Sequence, residues 1–510
     1  MASEKPEDIH RTEKEAPEIT SDPEAGHDNA IVGKPWMYKS LQIGPWKLPY
    51  FASPEFQLVL VSFVCFLCPG MFNAVSGLGG GGQVKQTDVS NANTALYSTF
   101  AVVGFFAGSI ANRIGLQLTI SFGGFGYFLY VAALLSYNHN ENAGFLIFAG
   151  ALLGVCAGLL WCAQGAVMMS YPLEHEKGKF IAIFWVIFNL GGVIGSLIPL
   201  GQNLHSTVGK VNDGTYIAFM VLMAAGFILA WSLSDSKYIV RKNGTRVIVM
   251  KNPTWKSEFL GLYETLRSDY YIVLFFPMFL ASNWFYGYHF NSVNGAYFNI
   301  RTRSLNSLLY WLSQMIGAFV FGHTLDLKFF SRSMRAKLNW ALLLIITMAT
   351  WGGGYAFQKG YTRETAKQDV DWTTSGYVGP MFLYMFYGFY DAAFQTCAYW
   401  FMGSLTNNGR KLANFAGFYK GIQSAGAAGM WRLDAENTPF MTEFASCWGL
   451  LVGSLLIAAP IIFFKVKDHI DMEEDLKFSD ETAQDVKGIP IEDRASSSKE
   501  DLSEKRASVA

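Results

Sequence analysis

The amino-acid sequence predicts an all-α membrane protein that crosses the bilayer twelve times and folds as two six-helix bundles. Three observations lead to this prediction. The chain of 510 residues is 51% hydrophobic and only 15% charged, against about 25% charged in an ordinary soluble domain. Twelve apolar stretches each approach the roughly 20 residues that a helix needs to span a bilayer. A short motif at Gly108 recurs about 214 positions later at Gly322, which indicates a duplicated chain.

The predicted spans divide the chain into five regions. The spans cover residues 55–75, 92–112, 117–137, 144–169, 178–200, 214–233, 270–291, 305–325, 337–357, 376–402, 411–431 and 441–464. Residues 1–54 are predicted to be a disordered cytoplasmic tail with an interfacial lead-in, and 465–510 a second disordered tail, because such polar segments bury too little apolar surface to fold. Between them lie an N-terminal bundle at 55–233, a cytoplasmic central loop at 234–269 and a C-terminal bundle at 270–464.

The distribution of lysine and arginine predicts the orientation. With the N-terminus in the cytoplasm, the inner loops carry 16 of these residues and the outer loops 8, Arg303 among the latter. This bias follows the rule that cytoplasmic loops are the more basic. Both termini are therefore predicted to be cytoplasmic. The sequon at Asn243 falls in the central loop and should carry no glycan.

Other classes of protein find little support in the sequence. A net charge of −1 gives no electrostatic reason to expect nucleic acid as a partner. No nucleophile elbow, zinc-binding helix motif or phosphate-binding loop is present, so neither an enzyme nor an ATP-driven pump is indicated. The six cysteines all fall in apolar segments, and no metal-ligand spacing or cofactor motif is found.

The repeated motif identifies a family resemblance. Gly108, Asn112, Arg113 and Gly115 end the second predicted span, and Gly322 and Asp326 end the eighth. This pattern resembles the loop motif of the major facilitator superfamily, in which the glycine lets helices approach and an acid–arginine charge relay holds the inward gate shut. The resemblance implies that these six residues form the two gate motifs. The first copy has Asn112 where the family prefers Asp, whereas the second keeps the acid.

A narrower resemblance is carried by the end of the first span. The segments Cys68-Pro69-Gly70-Met71-Phe72-Asn73-Ala74 and Gly77-Leu78-Gly79-Gly80-Gly81-Gly82-Gln83 resemble the Unc-ninety-three-like branch, specifically its fungal-type members. Animal relatives in that branch are described as regulators of ion channels or chaperones of receptors, and fungal-type members are labelled transporters of unassigned substrate. The glycine run mimics a dinucleotide-binding loop but follows a membrane helix instead of a strand. It is predicted to be a flexible external loop.

Polar residues inside the spans supply the candidate site, because in a membrane they usually face the bundle interior or a water-filled path. Asp391 and Lys420 are charges at mid-depth, ~21 Å and ~15 Å from the loop that joins their helices. An ion pair between them is feasible, with either a coupling or a purely structural role. The candidate cavity set is Asn73, Gln164, Asn189, Asn283, His289, Asn291, Asp391, Gln395 and Lys420.

Each member of this set has two interpretations. It contacts a solute, or it forms a hydrogen bond between helices. His289 is either a proton relay or an interfacial side chain near a helix end. The sequence as a whole predicts a secondary transporter that moves a small solute or ion across the lipid bilayer by alternating access. The alternative is a non-transporting membrane regulator or chaperone with a membrane-protein partner.

Overall fold

The structure is a computed structural model, and it describes residues 33–468 except 41, 45, 84, 173–176, 206–210, 243–262, 265, 328, 368–369 and 407–408. The predictions for the two tails beyond these limits, for most of the central loop and for Asn243 therefore lie outside the described residues. The regular structure among the described residues is helical, apart from one isolated bridge and a small hairpin before the first span, whose two strands are β1 (Gln42–Ile43) and β2 (Trp46–Lys47).

Twelve helical segments, α1 to α12, follow one another in the described part of the chain. They are α1 Pro54–Gly77, α2 Gln86–Ile114, α3 Leu116–Asn140, α4 Ala143–Ser170, α5 Lys177–Asn203, α6 Asp213–Ala230, α7 in three pieces (Tyr270–Phe275, Phe276–Ala281 and Tyr288–Gly295), α8 Ile300–Leu325, α9 Arg332–Gln358, α10 Val378–Gly403, α11 Gly409–Ala435 and α12 Phe440–Phe464. Short 3-10 turns occupy Pro35–Tyr38, Gly80–Gly82 and Ser236–Tyr238.

The first helix of each half is irregular. In α1 a π-helical stretch, Phe66–Gly70, surrounds Pro69, because proline has no N–H to donate to the preceding turn. In α7 a π-helical stretch covers Tyr288–Gly295. The prediction of a continuous seventh helix ending at residue 291 is therefore wrong. Wide helical turns of this kind often mark functional positions.

Two hydrophobic cores confirm the two-bundle architecture. One core gathers buried side chains chiefly between Met37 and Ile239, and the other those between Ile272 and Val466. Within each bundle, glycine permits equivalent helices to touch. A Cβ on Gly154 of α4 would lie 2.0 Å from the Leu96 carbonyl oxygen of α2, and one on Gly388 of α10 would lie 2.4 Å from the Tyr310 carbonyl oxygen of α8. Small residues at such crossings drive helix association in membranes.

Two helix pairs join the bundles: α2 packs on α11, and α5 packs on α8. Among the described residues, eight segments are long and apolar enough to span a membrane by length and composition. The four that fall short are α2, α7, α10 and α11. In α7 the helix is interrupted after Ala281. In α10 and α11 polar residues such as Asp391 and Lys420, which are unfavourable in contact with lipid, lower the hydropathy.

The loops fall into two groups at opposite ends of the helices. Tyr50 donates to the Val240 carbonyl oxygen at 2.6 Å, and the Ser333 amide donates to Asp468 at 2.7 Å. Both described ends of the chain therefore lie at one end of the molecule, called here the terminal end. The opposite end, called the distal end, carries the connections after α1, α7, α9 and α11.

Candidate functional site

A buried carboxylate lies at the centre of the C-terminal bundle. Asp391 of α10 is fully buried and accepts hydrogen bonds from the Tyr310 hydroxyl at 2.9 Å and the Gln314 amide at 2.5 Å, both on α8. The Gln395 amide, one turn further along α10, donates at 2.6 Å. All three donors are neutral. Asp391 is thus held by hydrogen bonds, which is the usual requirement for burying such a group.

Lys420 is connected to Asp391 through two glutamines. Its ammonium donates to Gln423 Oε1 at 3.0 Å, and Gln423 Nε2 donates in turn to Gln395 Oε1 at 3.3 Å. The predicted Asp391–Lys420 ion pair is therefore wrong for these two described residues. The two glutamine amides lie between α10 and α11, so a chain of hydrogen bonds connects the two charged groups. Asn283, in the break of α7, accepts from Gln423 at 3.1 Å and so joins this network.

Aromatic rings from both bundles surround the Lys420 ammonium. The ring centroids of Trp161, Tyr399 and Tyr419 lie 5.6, 5.6 and 5.4 Å from Nζ. Trp161 belongs to α4 of the N-terminal bundle, and Trp185 of α5 reaches Tyr399 with ring centroids 6.5 Å apart. Lys420, Trp161, Trp185 and Tyr399 are all partly exposed. Because these side chains come from opposite bundles, they border the space between the bundles.

The polar residues predicted in the N-terminal bundle stand apart from this network. Gln164 is buried and donates to Met168 Sδ at 3.5 Å. Asn189 is buried, and its Oδ1 has no hydrogen-bond partner within the described part of the chain. Asn73 is partly exposed on α1. The structure therefore brings together the C-terminal members of the predicted set and leaves the N-terminal members separate.

His289 is not interfacial. Its ring is fully buried and stacks on Tyr387 at a centroid distance of 4.2 Å, with Trp351 at 5.6 Å. Its Nδ1 lies 3.4 Å from the Tyr310 hydroxyl, which also contacts Asp391. The Tyr310 hydroxyl therefore lies between the His289 ring and the Asp391 carboxylate.

The glycine run lies inside the molecule at the distal end. Gly79 to Gly82 are buried, and all four have positive φ. Arg303, which is fully buried on α8, donates to the Leu78 carbonyl oxygen at 2.6 Å and the Gly79 carbonyl oxygen at 2.5 Å. The Gly80 amide donates to Asn291 at 2.6 Å. The prediction of a flexible external loop is wrong, because main-chain groups of this loop bind side chains of the other bundle. Arg303 is likewise not an outer-loop charge.

An acidic pair completes the contact between the bundles at the distal end. Asp434 of α11 accepts from Ser90 of α2 and from Asn291 of α7, each at 2.6 Å. Arg363 donates to Asp434 at 2.7 Å and to Glu443 at 2.6 Å. Asn291 thus belongs to this distal seal, defined by Arg303, the glycine run, Asn291 and the acidic pair. An open cleft of 480 Å³ lies against Arg363 and Asp434.

The second gate motif is held much less tightly than the distal seal. Gly115 ends α2 with φ of 87°. The side chains of Asn112 and Arg113, and what surrounds Gly108, lie outside what the structure describes. Gly322 does not allow a close helix approach, because a Cβ there would meet nothing within 4 Å. Asp326 is 82% exposed and 3.9 Å from Arg335 of the same bundle. The charge relay implied by the resemblance is therefore loose in the second motif.

Some functional side chains were missed by sequence reasoning although a signal was present. Arg303, Ser307, Tyr310 and Gln314 of α8 follow one another at helical spacing of three and four, which marks a polar stripe on one face. The stripe reaches from the distal seal to Asp391. Gln423 lies three positions after Lys420, where helical geometry makes side chains neighbours.

Comparison with known proteins places the chain in a family. The sequence model of the Major Facilitator Superfamily matches residues 48–430. An UNC93-like protein of Schizosaccharomyces pombe is 53% identical over 436 residues, which cover 85% of this chain and 86% of that protein. UNC93-like protein 1 of Arabidopsis thaliana is 44% identical over 425 residues, which cover 82% and 92%.

Solved structures agree on the fold. A xylose transporter from E. coli, in a partially occluded inward-open conformation, aligns with a TM-score of 0.56 at 13% identity and covers 80% of this chain and 97% of its own. A D-xylose–proton symporter aligns with a TM-score of 0.53 at 12% identity and covers 82% and 99%. Identities this low show the fold alone. Taken with the family match and the relatives, they establish that the chain belongs to the major facilitator superfamily as an UNC93-like member.

Proposed function

We propose that the protein is a secondary transporter, and not an enzyme, that moves a small solute or ion by alternating access. Both termini are cytoplasmic in this proposal, on the basis of the inner excess of lysine and arginine. The distal end is then the outer side. Because the distal seal joins the bundles there, the structure corresponds to a conformation that is closed to the outside.

The observation that carries this proposal is the polar chain from Asp391 to Lys420. Asp391 is buried with neutral donors only, and Lys420 lies at the border between the bundles. A buried carboxylate of this kind can bind and release a proton as solvent access changes. The glutamines provide a path by which a solute near Lys420 alters the hydrogen bonds that Asp391 accepts. Proton binding at Asp391 would then be coupled to solute binding.

Alternating access requires the distal seal to open as the bundles rock. Opening breaks the Ser90–Asp434, Gly80–Asn291 and Arg303–Gly79 hydrogen bonds. A hydrogen bond to a charged group contributes about 1.5–3 kcal/mol and a neutral one about 0.5–1.5 kcal/mol. Contacts formed at the terminal end in the other conformation must offset these losses. The gate motifs lie at that end and can supply such contacts.

The experiment is a flux measurement on purified protein in liposomes that contain a pH-sensitive dye. A panel of sugars, nucleosides, amino acids and organic acids is added with and without a pH gradient. At least one solute should drive proton movement in the native protein, and Asp391→Asn should abolish that movement while solute binding persists. Glu141→Gln, which removes an exposed partner of Lys85, is the matched control. Native flux in Asp391→Asn would contradict the coupling role.

One observation favours the second candidate, a membrane regulator that does not transport. The first gate motif carries Asn112 in place of an acid. In the second motif Asp326 is exposed, and Arg335, its cationic partner within the described residues, is 3.9 Å away. Weak gate contacts disfavour a cycle between two closed states. A stable membrane-protein partner recovered by crosslinking, together with no flux for any solute in the panel, would support the regulator.

A further inference from the structure

We propose that the solute is a small organic anion whose acid group binds the Lys420 ammonium and whose apolar body lies against Trp161, Tyr399 and Tyr419. This inference rests on the proposed transport function and names the class of substrate. Three steps lead to it: the unused hydrogen-bonding capacity of the lysine, its position between the bundles, and the charge balance with Asp391.

The ammonium of Lys420 retains capacity for a ligand. An ammonium has three N–H donors, and the structure shows one hydrogen bond, to Gln423 at 3.0 Å. Three aromatic rings, those of Trp161, Tyr399 and Tyr419, also lie against it. Aromatic faces stabilise a cation through their quadrupole but do not neutralise it. Asp391 is separated from it by two amides. Among the described residues no carboxylate pairs with this partly exposed ammonium, which lies where the two bundles meet.

The position of Lys420 suits a ligand that both bundles must hold. Trp161 comes from α4, whereas Tyr399 and Lys420 come from α10 and α11. A solute in contact with all of them touches both halves, as alternating access demands. The Trp161 ring packs against the Phe188 ring of α5, with the ring centroids 5.2 Å apart. The wall beside the charge is thus apolar and aromatic, and it fits a hydrocarbon or ring better than a polyhydroxylated solute.

The charge balance with Asp391 also favours an anion. A monoanion at Lys420 and a proton at Asp391 together add no net charge, so the loaded and empty carriers cross with the same charge. A cation at the same place would face the ammonium directly, and like charges close together in a low-dielectric site repel strongly. A neutral solute would not compensate the charge of the ammonium.

The test is a binding measurement by calorimetry on the full-length native protein in detergent. The probes are methanesulfonate, benzenesulfonate and 2-naphthalenesulfonate, each compared with its neutral sulfonamide, and benzamidine as a cation. At least one sulfonate should bind tenfold or more tightly than its sulfonamide and than benzamidine. A gain of this size corresponds to one charge-assisted hydrogen bond. Lys420→Gln should remove the preference, and Lys420→Arg should keep much of it. Lys85→Gln, at an exposed distal lysine, should bind as the native protein does.

The possible results separate this inference from the proposed function. Sulfonate binding that depends on Lys420 but comes with no flux in liposomes would support the anion site and contradict transport. Flux of neutral or cationic solutes, with no sulfonate bound, would overturn the anion site and leave transport standing. Absence of binding by every sulfonate, or equal binding in Lys420→Gln, would also overturn the inference. Because the probes are compared on the native protein, the inference can be tested even if the Lys420 variants do not fold.

Discussion

Replacing Gly79 by alanine should open the distal end selectively. Gly79 has φ of 74° and ψ of 131°, a region of backbone space that is open essentially to glycine alone. A Cβ there would lie 2.2 Å from the Phe290 carbonyl oxygen and 2.7 Å from the Gly295 Cα. Both atoms are main-chain atoms of α7, in the opposite bundle. The clash can therefore be relieved only if the glycine run moves away from α7.

The cost follows from these two effects. A residue held in a strained backbone region costs about 1–3 kcal/mol, and an extra methyl group forced into a filled space costs about 1–3 kcal/mol. Together they destabilise the distal-closed state by about 2–6 kcal/mol. Since 1.4 kcal/mol is tenfold in an equilibrium constant, the population of the distal-open state should rise by a factor on the order of 30 or more.

Hydrogen–deuterium exchange measured by mass spectrometry reports this opening directly. The Gly80 and Gly82 amides donate to Asn291 and to Gly79 in the closed state. Peptides that cover residues 77–86 should exchange at least tenfold faster in Gly79→Ala, while peptides from the middle of α3 should be unchanged. Gly376→Ala is the matched control, because Gly376 also has positive φ but a Cβ there meets nothing within 4 Å.

Two outcomes would refute this reasoning. One is a folded Gly79→Ala protein whose distal peptides exchange as slowly as in the native protein. The other is an equal acceleration of the same peptides in Gly376→Ala, which would assign the effect to backbone strain alone. Faster exchange throughout α2 and α3 would indicate general unfolding and would equally contradict a selective opening.

Three further predictions concern the distal loops and the orientation. Arg363→Gln leaves Asp434 and Glu443 without their shared arginine and should cost about 3–5 kcal/mol, seen as a lower unfolding temperature that Arg363→Gln with Glu443→Gln partly restores; no change would contradict the seal. The Arg301 guanidinium, 2.8 Å away, holds the pKa of Asp371 well below its usual range, so this pair should stabilise the fold above about pH 4 and lose that effect as the pH falls further. The stability deficit of Asp371→Asn should accordingly be full at pH 7 and shrink in acid, and a deficit independent of pH would argue against the pair. Asn243 should carry no glycan in cells with active glycosylation, and a glycan found there by mass spectrometry would reverse the orientation.

The candidate site was predictable in its members but not in its connections. Asp391, Gln395, Asn283 and Lys420 could be found because a polar side chain in an apolar span is conspicuous in sequence. The hydrogen bonds that connect them could not be predicted, because the depths of Asp391 and Lys420 are compatible both with an ion pair and with a chain of glutamines. Which one forms depends on Gln423 and on how closely α10 approaches α11.

The sequence by itself determined the membrane class, the number of spans and the division into two similar halves. These properties depend on runs of apolar residues and their repetition, which are local or additive along the chain. The tertiary structure decided that the glycine run is buried, that Arg303 binds carbonyl groups of this loop and that Lys420 lies against Trp161 of the other bundle. The physical reason is that buried polar groups must find partners. In this fold those partners lie as many as 344 positions away along the chain, as for Ser90 and Asp434.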